Sequence, residues 1–291
     1  MNLGSALRLI VVMVLWASCF PLIVIGLDLA PHLLFAALRA AIAGVVLIAA
    51  ALVLRRPMPR DAGTWAKIIL LGLSATSLGF LGMFHGAEFL STGLAAVLLS
   101  TQPLAAALLA RGFLGERLGP HAVMGLAVGF AGITVASAPN LCAREAPFYL
   151  MGAGYVVAAA IGTAIGNVVM KSLSRDVDAL VAVGFGLFIG AAPLAAASLA
   201  TENVSFDLPL LFVLVLAALA IPGTALAAWL WFDALRATDL SLANAFTYLV
   251  PVLGLAFGVW FFGERIGALE IIGTILVLTG VWLAGRAAGR P

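Results

Sequence analysis

Two stretches of the chain read almost alike: FLGERLG at 113–119 and FFGERIG at 261–267. Each is a short charged phrase set between long apolar runs. Phe113 falls on Phe261 at an offset of 148 (261 − 113), and the same offset carries Pro103 onto Pro251, Gly125 onto Gly273 and Gly132 onto Gly280 without a gap. One half of the chain therefore repeats the other. What the repeat means depends on how often the chain crosses a membrane between the copies.

That it enters a membrane follows from composition. The 291 residues are 64% hydrophobic and 10% charged, with a mean hydropathy of +1.19, whereas soluble domains carry roughly 25% charged residues. Too few polar side chains are present to cover a soluble globule. Lipid offers no partner to an unpaired backbone group, so unbroken apolar runs of ~20 residues cross as helices, and the short alternating segments of a β-barrel are not seen. Cys19 lies within an apolar run and Cys142 in a loop, a placement that pairs neither with the other and implies no disulfide and no metal site. Arg8 followed by an apolar stretch imitates a signal peptide. The run from Leu9 to Leu27 is too long for one and holds Trp16 and Pro21, so it reads as the first span.

Charges, prolines and glycines separate ten candidate spans: 6–27, 33–54, 65–85, 89–110, 120–137, 148–170, 179–200, 208–233, 240–262 and 266–285. With the N-terminus in the cytoplasm, 12 of the 15 basic residues face inside, Arg144 and Arg265 lie outside, and Arg39 falls within a span. So large a bias favours ten spans with both termini cytoplasmic. Each half then holds five spans, an odd number, and the second copy enters the membrane upside down. The fold expected is an all-α polytopic membrane protein of ten transmembrane helices, built as two inverted five-helix repeats at 1–138 and 147–286. Inverted repeats of this kind serve alternating access in many secondary transporters.

Five plus five spans, the GER phrase after spans four and nine, and a proline inside each of those spans resemble the drug/metabolite transporter superfamily, EamA type. The resemblance covers nearly the whole chain. The opening VLWASCFPLIVIG is also similar to the first span of YddG-type aromatic amino-acid exporters. The resemblance implies a secondary transporter with a cavity ringed by spans one to four and six to nine, with spans five and ten packed outside. It also implies an arginine near position 39 that bonds across helices.

Several residues are candidates on their own chemistry. Pro103 and Pro251 sit mid-span, where a proline bends a helix and frees a carbonyl, so paired bends can act as hinges or shape a cavity. Glu116 and Arg117 point about 100° apart on a helix and cannot pair with each other; each is expected to tie its loop to a neighbouring helix end. Arg39 is either a partner for a substrate carboxylate or a side chain that snorkels to the outer interface. Trp16 and Phe20 share one helix face, as do Phe80 and Phe84; Ser100, Gln102, Tyr155, Asn167, Trp229 and Tyr248 add polar or aromatic groups at depth. Together they would make a pocket with aromatic walls and amide heads, suited to a small amphipathic molecule. His85 and Glu88, near the outer mouth, form a hydrogen-bonded interfacial pair or a titratable one.

No HExxH, no paired aspartate and no serine with a base lies at depth, and no GxxxxGK[ST] is present, so neither an enzyme nor an ATP-driven pump is expected. The expectation is an exporter of amino acids, aromatic or apolar, and related small metabolites across a bacterial-type inner membrane. The alternatives are a broad-specificity drug or cation exporter of the same fold, or a metabolite channel. The first span has no acid, so facilitated diffusion and proton antiport both stay open. No cofactor and no nucleic acid is expected as a partner. Ten spans hold both halves of a cavity, so a monomer suffices.

Overall fold

The computed structural model describes residues 3–86, 89–90, 92–141, 149–203, 209–263 and 266–287. Ten helices are long and apolar enough to cross a membrane: α1 (Gly4–Leu27), α2 (His32–Val53), α3 (Ala62–Gly86), α4 (Leu94–Leu114), α5 (Pro120–Pro139), α6 (Tyr149–Leu173), α7 (Ala179–Thr201), α8 (Leu210–Ala237), α9 (Leu240–Trp260) and α10 (Ala268–Arg286). Several run past the edges expected from the charges. α3 begins early because Asp61 caps it, its Oδ1 accepting the Thr64 N–H at 2.7 Å. That bond holds the Asp61 carboxyl below its ordinary value. Its contribution to stability is therefore present above the unfolded carboxylate range and lost as pH falls through the folded value. α8 continues to Ala237 because Asp233 and Arg236, in its last turns, bond to neighbouring elements instead of ending the helix.

Contacts between loops define two ends of the bundle. At the basic end, Arg8 of α1 meets Asp233 of α8 at 3.1 Å, and Arg56 meets Asp178 at 3.6 Å. Arg236 donates to the carbonyls of Ser174 and Val177. Here Glu116 does what its position promised. Its carboxylate accepts from the N–H of Leu240 (2.7 Å) and from the N–H and hydroxyl of Ser241, capping the start of α9. At the opposite end, Glu202 after α7 accepts from the N–H of Leu33 and of Leu34 at the start of α2. Glu264 and Arg265 of the second phrase, like Glu88, Cys142, Arg144 and Arg290, lie outside the described residues.

The repeat is visible in the packing of α5 on α10. A Cβ on Gly125 would lie 2.6 Å from the Gly280 carbonyl oxygen, and one on Gly132 would lie 2.8 Å from that of Gly273. Since 125 + 148 = 273 and 132 + 148 = 280, each glycine of α5 meets the repeat counterpart of the other. Such reciprocal contact is the mark of a two-fold axis, and with five spans per half that axis lies in the membrane plane. Small residues let the two backbones approach, the means by which helices associate where lipid removes any hydrophobic drive. The phrases themselves match in backbone: Gly115 (φ +69°) and Gly263 (φ +66°), also 148 apart, end their helices in the left-handed region.

Four spans are irregular, in repeat-related pairs. α3 and α8 carry π-helical turns at Gly72–Leu78 and Ile221–Leu226. α4 is broken at Ser100–Thr101, two to three residues before Pro103, and α9 at Thr247–Tyr248, three to four residues before Pro251. Each proline lacks the N–H its helix would need, and the hydroxyls of Ser100, Thr101 and Thr247 turn back onto the preceding carbonyls of Ala96, Leu98 and Asn244. The helices of both halves are thus interrupted near mid-span. One buried apolar group holds Leu9, Met13, Ile68, Trp231, Phe232 and Tyr248. A second, toward the opposite end, holds Phe35, Phe84, Phe212 and Leu219.

Candidate functional site

The broken helices bring three amides together. Asn244 Oδ1 on α9 accepts from Gln102 Nε2 of α4 at 2.8 Å and from Asn167 Nδ2 of α6 at 3.1 Å. Asn244 Nδ2 donates to the Leu240 carbonyl, and Asn167 Oδ1 accepts the indole N–H of Trp231 on α8 at 3.2 Å. Trp16 of α1 lies on Trp231, with ring centroids 5.3 Å apart and planes at 47°. Five helices, α1, α4, α6, α8 and α9, so meet at one polar cluster. All three amides are buried, Asn244 completely, which is tolerable only because each finds partners. Gln102 Oε1 is the acceptor left over: among the described residues no group donates to it.

Arg39 heads a second cluster. It is 7% exposed and turns into the bundle, not out to the interface. Its Nε donates to Thr224 Oγ1 on α8 at 2.7 Å, and Nη2 reaches Cys19 Sγ on α1 at 3.7 Å. Thr224 passes its own hydrogen to the Leu219 carbonyl, five residues back across the π turn of α8. The guanidinium lies over the ring of Phe80, 5.2 Å from its centroid. No described carboxylate stands within salt-bridge distance of it. Cys19 is three residues from Trp16, about 4.5 Å along α1, so Arg39, through Cys19, and the amide cluster, through Trp231 and Trp16, touch adjoining turns of one helix. Thr224 and Trp231, seven apart on α8, join the clusters a second time.

The remaining candidates bond to neither cluster, although Phe84 packs on Phe80, with ring centroids 6.1 Å apart. Phe84 packs edge-on against Phe35 within the apolar core. Tyr248 is buried, its ring against Gly129 of α5 and its hydroxyl without a described partner. Phe20 lies against Gly254 of α9 and is 46% exposed. Ser100 bonds within its own helix. Trp229 faces a crevice of about 320 Å3 on the flank, lined also by Val46, Arg56 and Asp178. Tyr155 meets His85 edge-on at the opposite end. Two members of these clusters, Trp231 and Thr224, were absent from the sequence candidates. Their signal was available: they are seven residues apart and share a face of α8, whereas Trp229 points about 200° away from Trp231.

Comparison with known proteins agrees with this architecture. The chain matches the EamA-like transporter family over residues 4–138 and again over 150–286. It is 31% identical to the WAT1-related chloroplastic protein of Arabidopsis thaliana over 88% of this chain, and it spans 63% of the length of that relative. It is 29% identical to the "probable terminal-alkyne amino-acid exporter" of Streptantibioticus cattleyicolor, over 98% of this chain and 95% of that one. A solved crystal structure, 24% identical, superposes with a TM-score of 0.82 over 99% of this chain and 98% of its own, and shares the fold. Two matches to one family, each covering five spans, meet the inverted pair seen in the packing: the chain belongs to the EamA-like transporter family and is a multi-pass membrane transporter, not an enzyme.

Proposed function

We propose that the protein exports amino acids with apolar or aromatic side chains, and related small metabolites, by alternating access, acting as a monomer in a bacterial-type inner membrane with both termini in the cytoplasm. The observation that carries the reading is a buried cation with no described carboxylate partner, joined through α1 and α8 to an amide cluster with a spare acceptor. Arg39 suits the carboxylate of such a cargo, Gln102 Oε1 its ammonium group, and Trp16 and Phe80 its apolar side chain. A cationic drug would face Arg39 with no described carboxylate beside it to compensate, which favours the amino-acid reading over the broad drug or cation exporter. The interruptions before Pro103 and Pro251 lie beside the cluster and supply the hinges.

The reading is tested by counterflow in liposomes with phenylalanine and phenylalaninamide. The acid should be exchanged and the amide should compete poorly. Trp16→Ala removes aromatic contact on the order of 1–3 kcal/mol, a five- to hundredfold weaker grip, and should affect phenylalanine most. Val123→Ala, at a 49% exposed position of α5, should leave exchange near normal. Exchange of organic cations with no exchange of amino acids would overturn the proposal.

A further inference from the structure

The flank of the bundle carries two crevices of similar size that differ in charge. One, of about 330 Å3 between α3 and α7, is lined by Leu73, Ser77, Leu81 and Pro193 and holds no charged side chain. The other, of about 320 Å3, runs between α2 and α8 at the basic end. Its walls are Leu47, Ala50 and Leu54 of α2 and Ile221, Leu226 and Trp229 of α8, and Arg56 and Asp178 stand at its mouth. From Ile221 to Trp229 the helix advances about 12 Å, most of one leaflet of a bilayer whose hydrocarbon core is ~30 Å thick. Ile221, Leu226 and Trp229 are exposed, so the crevice opens sideways on the surface that faces lipid.

The mouth keeps its charge at a cost to the fold. α2 ends in a Schellman turn: the N–H of Arg56 donates to the Ala51 carbonyl at 2.8 Å and that of Arg55 to the Leu52 carbonyl at 3.0 Å. Such a turn needs a residue in the left-handed region, a place usually given to glycine. Here Arg55 takes it, at φ +51°, and among the described residues it is the only non-glycine with a positive φ. A second cation thus stands beside Arg56 where glycine would be less strained. Arg60 follows in the same loop, and all three arginines are exposed. Two acids lie close, and each already caps a helix. Asp178 accepts the Leu180 N–H at 2.9 Å and lies 3.6 Å from Arg56 Nε, while Asp61 caps α3. Arg175 and Asp176 of the neighbouring loop offset each other. The mouth is therefore net cationic.

We propose that the α2–α8 crevice binds one anionic glycerophospholipid from the leaflet at the basic end. One acyl chain lies along Leu47, Ile221 and Leu226, the phosphate sits on Arg55 and Arg56, and Trp229 stands at the interfacial level that suits an indole. Basic pockets between spans select acidic headgroups in this way. A zwitterionic lipid fills the apolar walls equally well but brings an ammonium group to a cationic mouth. A free phosphate suits the arginines but leaves the walls unfilled. The bound lipid touches α2 and α8 directly and α7 through the Arg56–Asp178 pair, so it joins three helices at this end.

The test uses the full chain in phosphatidylcholine nanodiscs that contain a small fraction of lipid brominated on its acyl chains, either phosphatidylglycerol or phosphatidylcholine. Bromine quenches indoles that it touches, and the part of the emission lost in Trp229→Phe reports the crevice. Brominated phosphatidylglycerol should quench that part more strongly than brominated phosphatidylcholine at the same fraction. Its enrichment should fall about fivefold for each of Arg55→Gln and Arg56→Gln, and Arg55→Lys should keep it. Arg55→Gly should raise the thermal midpoint in lipid-free detergent while lowering the enrichment, opposite signs that a purely structural arginine does not give. Equal quenching by the two lipids would overturn the site, as would an excess that survives Trp229→Phe or is unchanged by both glutamine variants. Loss of the excess on adding inorganic phosphate at matched ionic strength would assign the mouth to a free anion and overturn the lipid. If Arg56→Gln, which breaks the pair with Asp178, proves unstable, Arg55→Gln, which removes no described side-chain bond, decides the question alone.

Discussion

Glu116 shows how a single residue earns its repetition. Its two oxygens accept three hydrogen bonds from Leu240 and Ser241, so it closes the open N-terminus of α9 from another loop. Arg117, its neighbour in the phrase, is exposed. Glu116→Ala should therefore cost about 1–2 kcal/mol, the scale of a lost helix cap, while Arg117→Ala should stay within about 0.5 kcal/mol. Thermal unfolding of the two variants in one detergent separates them; equal midpoints would mean that the cap contributes nothing. The sequence was informative here because adjacency alone forbids Glu116 from pairing with Arg117. It was less informative for the tryptophans. Lipid and a protein cavity both accept an indole, so Trp229 on the flank and Trp231 in the amide cluster read alike until helix rotation is known. Asn167 and Gln102 were easier to place, because an amide at depth must find a partner wherever the helix turns it.

At the scale of the helix, small residues and irregular turns divide the labour. The α5–α10 seam admits no side chain at Gly132, where a Cβ would come within 2.8 Å of a backbone oxygen on the partner helix. Gly132→Leu should force the pair apart and lower the folded fraction sharply, beyond the roughly 1–3 kcal/mol of ordinary overpacking because the obstacle is backbone. Gly112, with nothing within 4 Å, should accept alanine at little or no cost. Monodispersity on size exclusion, followed by thermal unfolding, checks both. The repeat predicted this seam in outline, since Gly125 and Gly132 recur as Gly273 and Gly280. The π turns of α3 and α8 left no such trace. A run such as IPGTAL announces a disturbance through its proline, but the wider turn goes with a contact that the run does not show, the Thr224 hydroxyl on the Leu219 carbonyl beneath Arg39. Contacts of that kind lie between helices and have no signature along one.

For the whole molecule, the inverted repeat makes a claim about sides. Ten spans and the reciprocal glycine contacts put the two GER corners on opposite faces of the bundle, and the basic residues gathered at one end argue that this end is cytoplasmic. Fold and number of spans were legible because hydropathy and charge are one-dimensional quantities that lipid reads span by span. The side each loop faces adds only a sign. That sign can be measured at two glycines of the corners themselves. A side chain at Gly119 meets nothing within 4 Å, and one at Gly267 meets only the flexible end of Glu270, so cysteine fits both positions. With Cys142 changed to serine and Cys19 left buried, a membrane-impermeant maleimide added to intact cells should label Gly267→Cys. It should reach Gly119→Cys only after the membrane is opened. Labelling reversed between the two would keep the inverted fold and turn the transporter over, putting the end that holds Glu202 in the cytoplasm. Labelling of both from one side would contradict the odd number of spans in each repeat, and with it the two-fold axis on which the paired breaks of α4 and α9 depend.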